Sequence, residues 1–89
     1  MHLVLEYSLA GDYLERRAAL REDHLALARA AHERGELLLA GALPDPYDRA
    51  LLVWKAPREV VEEFVRQDPY VVQGLVTGWT VREWNVVIG

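Results

Sequence analysis

Residues 36–56 read ELLLAGALPDPYDRALLVWKA. Two nearly continuous apolar runs, Glu36 to Leu43 and Arg49 to Ala56, flank the segment Pro44-Asp45-Pro46-Tyr47-Asp48. Short apolar runs of this kind fit strands covered on both faces. The proline- and aspartate-rich segment between them is a turn. Working outward toward the N-terminus, Leu3, Leu5, Tyr7 and Leu9 alternate with Val4, Glu6 and Ser8, which is strand periodicity. Gly11 and Asp12 break that strand. Asp12, with Glu15 three residues on, resembles a capping box and predicts a single helix running to about Arg34, stopped by Gly35. Toward the C-terminus, Pro57 starts a second helix with Val60, Val61, Phe64 and Val65 on one side. Asp68-Pro69-Tyr70 opens a further short helical turn closed near Gly74, and Val76 to Ile88 reads as a last strand.

The element order is therefore β-α-β-β-α-β across one domain, residues 1–89. In one antiparallel sheet this is the α+β, ferredoxin-like arrangement, with both helices on the same face. A surplus of apolar surface follows. The helices cover one face of the sheet, yet the two central runs are apolar on both. A second copy packing sheet against sheet is the simplest cover, so a homodimer through the helix-free face is expected.

Composition narrows the function classes. The chain has no cysteine, which excludes thiolate catalysis, thiolate metal sites and disulfides, and fits a cytoplasmic setting. The first residues lack the basic and apolar segments of a signal peptide. No run reaches the roughly 18 apolar residues of a membrane span. A net charge of −4 argues against general nucleic-acid binding, which needs clustered cations. Ser8 is the only serine and has no nucleophile-elbow motif, and no glycine-rich phosphate loop occurs. His2, His24 and His32 lack metal-ligand spacing, so neither a metal nor an organic cofactor is expected.

One pattern points to a site. At about 100° per residue, Tyr13, Arg17, Leu20, Arg21, His24, Leu27, Ala28 and Ala31 share one side of the first helix. Glu15, Glu22, Arg29 and Glu33 take the opposite, solvated side. Arg17, Arg21 and His24 thus fall on the face that should be core, where an unpaired charge is costly. His24 is either an acid/base group or a hydrogen-bonded structural histidine. Arg17 and Arg21 either grip a carboxylate or phosphate, or pair with Glu6, Asp68 or a partner chain. Asp68 serves either as the N-cap of the turn that Pro69 begins, or as the aspartate that orients an imidazole. The tryptophans Trp54, Trp79 and Trp84 read as sheet and interface packing.

The motifs Leu14-Glu15-Arg16-Arg17, Arg21-x-x-His24-Leu25, His32-x-x-Gly35-x-Leu37-Leu38-x-Ala40-Gly41 and Asp68-Pro69-Tyr70 with Gly74 span almost the entire chain. Together they resemble the YciI-like (YCII-related) family. The resemblance implies a dimeric α+β barrel of ferredoxin-like protomers and an active site holding a His–Asp pair, which falls on His24 and Asp68. It places Arg21, with Arg17 nearby, beside that pair; the substrate-binding residues expected are Arg17, Arg21 and Tyr70. Gly41-Ala42 departs from the Gly-Pro common in the family, and the turn at 44–48 is short. The functional expectation is a cofactor-independent isomerase or lyase, including dehydrohalogenase-like elimination, acting on a small organic acid. The alternative is a non-catalytic dimeric module that binds a small anionic metabolite or a protein partner.

Overall fold

The computed structural model describes residues 1–89. Its elements are β1 (His2–Leu9), α1 (Tyr13–Arg17), α2 (Arg21–Glu33), β2 (Leu37–Leu43), β3 (Arg49–Trp54), α3 (Arg58–Gln67), α4 (Pro69–Val72) and β4 (Val76–Trp84). The strands form one antiparallel sheet in the order β2-β3-β1-β4, the ferredoxin-like topology. No helix is long and apolar enough to cross a membrane.

Register explains which face is core. Leu3 pairs with Trp54, Leu5 with Leu52 and Tyr7 with Ala50, and all six side chains are buried. They join Ala28, Ala31, Val61, Phe64, Val65 and Tyr70 from the helices in a single cluster. Side chains alternate across a strand, so Val4, Glu6, Leu51 and Val53 turn to the helix-free face. There β2 adds Leu39, which is 71% exposed, and β4 adds Trp84. That face is apolar along β3 and β2 and polar toward one end, where Arg49 Nε lies 3.5 Å from Glu6 Oε1. Trp54 is not interface packing: it is completely buried under the helices, edge-on to Phe64.

The helix expected over 12–34 is two helices. Leu20 N–H bonds back to Arg17 and His24 N–H to Leu20, and α2 restarts at Arg21. No glycine or proline marks the break. Asp12 does not cap α1 with its side chain; its carboxylate sits 3.6 Å from Arg16 instead. Arg16 in turn donates to the Gln73 carbonyl at 2.6 Å, tying α1 to the end of α4. The stop at Gly35 is as expected. Gly35 has φ +78°, Glu36 N–H bonds the Ala31 carbonyl and Gly35 N–H that of His32, the two bonds of a Schellman motif. The last strand ends at Trp84 rather than Ile88, because His2 is the final residue of β1 available to pair with it. Val87 and Ile88 are exposed.

Candidate functional site

Asp68 organises the polar end of the covered face. Pro69 holds the preceding residue in an extended conformation, and Asp68 indeed has φ −67° and ψ 117°, which ends α3. The chain restarts as α4 with Pro69 in its first turn, and Asp68 Oδ1 accepts from the Tyr70 N–H at 3.1 Å. The same oxygen lies 2.8 Å from His24 Nδ1, and Oδ2 accepts from the Tyr7 hydroxyl at 2.8 Å. The cap and the imidazole contact are therefore one arrangement, not alternatives. The carboxylate is 0% exposed. Burying it without partners is prohibitive, and three donors from β1, α2 and α4 offset that cost.

An ionised carboxylate only accepts hydrogen bonds, so the proton of the Asp68 contact sits on His24 Nδ1. The lone pair of the neutral ring is then on Nε2, to which no protein group bonds. The imidazole lies flat on the Tyr70 ring, with centroids 3.8 Å apart and planes 7° apart. Packing on one side and a hydrogen bond at Nδ1 hold its orientation.

His24 and Tyr70 form part of the wall of a cavity of about 310 Å³, together with Tyr13, Arg17, Arg21 and Tyr47. The break after α1 leaves Tyr13, Arg17, Arg21 and His24 on this one cavity, as a continuous helix would have done. Arg17 lies over a pair of neighbouring tyrosines, its guanidinium carbon 5.6 Å from the Tyr13 ring centroid and 5.7 Å from that of Tyr47. Arg21 is exposed and forms no ion pair. The carboxylates considered for these arginines are committed elsewhere, Glu6 to Arg49 and Asp68 to His24 and Tyr7. A somewhat larger hollow of about 370 Å³ lies on the helix-free face beside Val4, Leu51 and Trp84. Of its two carboxylates, Glu6 and Glu83, the first pairs with Arg49, and no imidazole lines it, so the smaller cavity is the one that holds an oriented histidine. No three His, Asp or Glu side chains converge to form a metal-ligand set.

Two of the four tyrosines at the site, Tyr7 and Tyr70, hold their protons more tightly than an ordinary phenol. Burial, then the adjacent Asp68 charge, pushes the Tyr7 phenol far above its ordinary value. Burial, with Tyr13 beside it, also raises the Tyr70 phenol, while Arg21 and Arg17 pull it back. The Tyr70 hydroxyl is buried without a hydrogen bond of proper geometry, although Arg21 is near enough to act on it.

Sequence reasoning assigned no role to Tyr7 or Tyr47. Tyr7 reads as an ordinary inward residue of β1; the available signal was that a buried phenol needs a partner. Tyr47 comes from the 44–48 turn, whose path no local pattern sets.

A small ferredoxin-like α+β protein with an arginine-lined cavity ending on a buried His–Asp contact is the class that fold and site define. The sequence pattern of the YCII-related domain matches residues 1–85, and the chain belongs to that family. No curated protein matches it in sequence. Among solved structures, it is similar to 5-chloro-2-hydroxyhydroquinone dehydrochlorinase (TftG) from Burkholderia phenoliruptrix AC1100, solved in complex with 2,5-dihydroxybenzoquinone. The TM-score is 0.79 at 19% identity, over 96% of this chain and 94% of that one. A NIPSNAP family protein from Agrobacterium tumefaciens is more distantly similar, with a TM-score of 0.53 at 18% identity over 92% and 90% of the two chains.

Proposed function

We propose that this protein is a cofactor-independent acid/base enzyme for a small organic acid, catalysing an isomerisation or an elimination. The observation that carries the reading is His24, bonded through Nδ1 to a fully buried carboxylate while the ring lines an arginine-bearing cavity. Asp68 keeps the proton on Nδ1 and stabilises the imidazolium that forms, so Nε2 acts as the base. In an elimination, Nε2 takes a proton from carbon, the C–H electron pair becomes a double bond, and the leaving group departs with its own bonding pair. In an isomerisation, the imidazolium returns the proton to a different carbon. Arg17 and Arg21 hold the anionic group, and Tyr70 forms the wall against which the substrate lies. The similarity in fold to a dehydrochlorinase favours elimination within this pair.

The working form in this reading is a cytoplasmic homodimer. Leu39, Leu51, Val53 and Trp84 on the helix-free face supply the apolar surface that a second copy covers. Such an interface buries more than about 1,200 Å² in total. Sedimentation at micromolar concentration should give a dimer, and a stable monomer would remove this part of the proposal.

The test of the chemistry is deuterium exchange. Small carboxylic acids carrying a proton beside a carbonyl are incubated with the protein in D₂O and followed by NMR. Wild type should accelerate exchange of at least one acid; His24→Ala should abolish the acceleration while the same acid still binds. Binding without exchange by wild type would assign the protein to the non-catalytic class. Exchange that survives His24→Ala would reject His24 as the base.

A further inference from the structure

Within the cavity wall, one polar group has no assignment in the reaction just described. Tyr70 is 3% exposed and its hydroxyl has no hydrogen bond of proper geometry, Arg21 being the group near enough to reach it, yet the residue lines the same cavity as Arg17, Arg21 and His24. Buried hydroxyls are normally satisfied, and one that is not has a functional reading. The ring itself is doubly fixed. It lies parallel to the His24 imidazole at 3.8 Å and edge-on to Tyr13 at 5.8 Å, and its backbone N–H is held by Asp68. The hydroxyl is thus a fixed donor buried just behind the wall that also carries the base, beside Arg21. The charges near enough to influence its oxygen are Arg21 and Arg17. Of these, Arg17 is engaged by the Tyr13 and Tyr47 rings, whereas Arg21 has neither an ion pair nor an aromatic partner.

We propose that the Tyr70 hydroxyl and the Arg21 guanidinium together bind the oxygen on which negative charge develops while His24 removes the proton. This rests on the acid/base reading of His24 and narrows its substrate class. The carbon that loses its proton is bonded to a carbonyl carbon, in a single-ring or smaller molecule. As the C–H bond breaks, the proton goes to Nε2, the electron pair enters the new carbon–carbon double bond, and the carbonyl π pair moves onto oxygen. Tyr70 keeps its proton throughout and donates it as a hydrogen bond to that oxygen. Burial, which keeps the phenol in its neutral form at physiological pH, suits a donor rather than a second base. Donors aimed in advance at a developing oxyanion stabilise it more in a dry cavity than water does.

The probe is 4-nitrophenol, whose absorbance separates phenol from phenolate; nitrobenzene is the matched molecule without the oxygen. Wild type should bind the phenolate in preference to the phenol, lowering the apparent pKa of the bound probe. Tyr70→Phe keeps the ring stack and the backbone cap. It should weaken phenolate binding by about tenfold or more, as expected for losing a hydrogen bond to a charged acceptor, with nitrobenzene binding and melting temperature unchanged. Arg21→Gln should reduce phenolate affinity in the same direction. Phenolate binding by Tyr70→Phe equal to wild type, with Arg21→Gln still impaired, overturns the role of Tyr70 and leaves the arginine site standing. Equal binding by both variants, or no phenolate binding by wild type at millimolar probe, overturns the oxyanion site and the anion-binding part of the proposed function together. Loss of nitrobenzene binding in step with phenolate also overturns the proposal, because it makes Tyr70 a packing residue.

Discussion

The two ends of the helix-covered face are built on opposite principles. At one, Trp54, Phe64, Val61 and Leu37 are buried and make an apolar core in which the indole N–H of Trp54 is the sole polar atom without a partner. At the other, a carboxylate as deeply buried as Trp54 collects a phenol, an imidazole and a backbone amide. The first end stabilises by area removed from water, which is tolerant of detail. The second stabilises only while every partner is in place, since a buried charge that loses a donor becomes a liability. The proposed function belongs to the second end, because there a buried carboxylate orients an imidazole that lines a cavity.

If this contrast holds, the largest stability loss comes from the apolar end. Trp54→Ala should cost about 3–5 kcal/mol by chemical denaturation, with anion affinity of the folded fraction unchanged. Trp54→Phe should cost much less, because the indole N–H it removes has no partner. A loss of anion affinity in Trp54→Phe would show that the two ends are coupled.

Asp68→Ala comes next, at about 2–4 kcal/mol, combining a lost N-cap with a stranded Tyr7 hydroxyl. It should also abolish any proton exchange that depends on His24. Retained exchange would mean that the imidazole orients itself without the carboxylate.

Tyr7→Phe is expected to cost about 1–2 kcal/mol, the worth of a hydrogen bond to a charged acceptor less the relief of burying a hydroxyl. Its sharper signature is in alkali. A raised folded-state pKa means that the stabilisation is complete below the ordinary tyrosine pKa of about 10. It is lost as pH climbs above that value, because the unfolded chain releases its proton first. Stability of the wild type should therefore fall above about pH 10, and Tyr7→Phe should flatten that fall, with Tyr70 supplying part of what remains. An identical alkaline decline in both proteins would remove Tyr7 as its source.

The smallest stability effect belongs to Arg21→Ala. With no ion pair to strand, it should change stability by less than about 0.5 kcal/mol while weakening binding of small carboxylates. A large fall in melting temperature with unaltered binding would make Arg21 structural and erase the contrast between it and Arg17, which lies over the Tyr13 and Tyr47 rings.

Much of this architecture was legible locally. The period of β1, the apolar hairpin at 36–56, the glycine stop after α2 and the Asp68-Pro69 restart each depend on a few neighbouring residues, and each appears where the pattern put it. The inner-face position of Tyr13, Arg17, Arg21 and His24 survived even though the helix carrying them is broken. The failures lie where a side chain had a distant competitor. Asp12 pairs with Arg16 rather than capping α1, and Arg16 is drawn to Gln73, 57 positions away. β4 stops at Trp84 because its partner strand runs out, which the Val-rich tail itself does not signal.

The sequence by itself determined which residues had to be inside, through periodicity and the cost of exposing apolar surface, and it marked His24, Arg17 and Arg21 as misfits on a core face. It left Asp68 with two readings and Tyr7 with none. Tertiary structure decided those, by bringing residues 44 and 61 positions from Asp68 within 2.8 Å of its carboxylate. Periodicity is a property of neighbours along the chain. A buried charge is satisfied by whichever donors the sheet register and helix packing deliver, and that delivery exists only once the chain has folded.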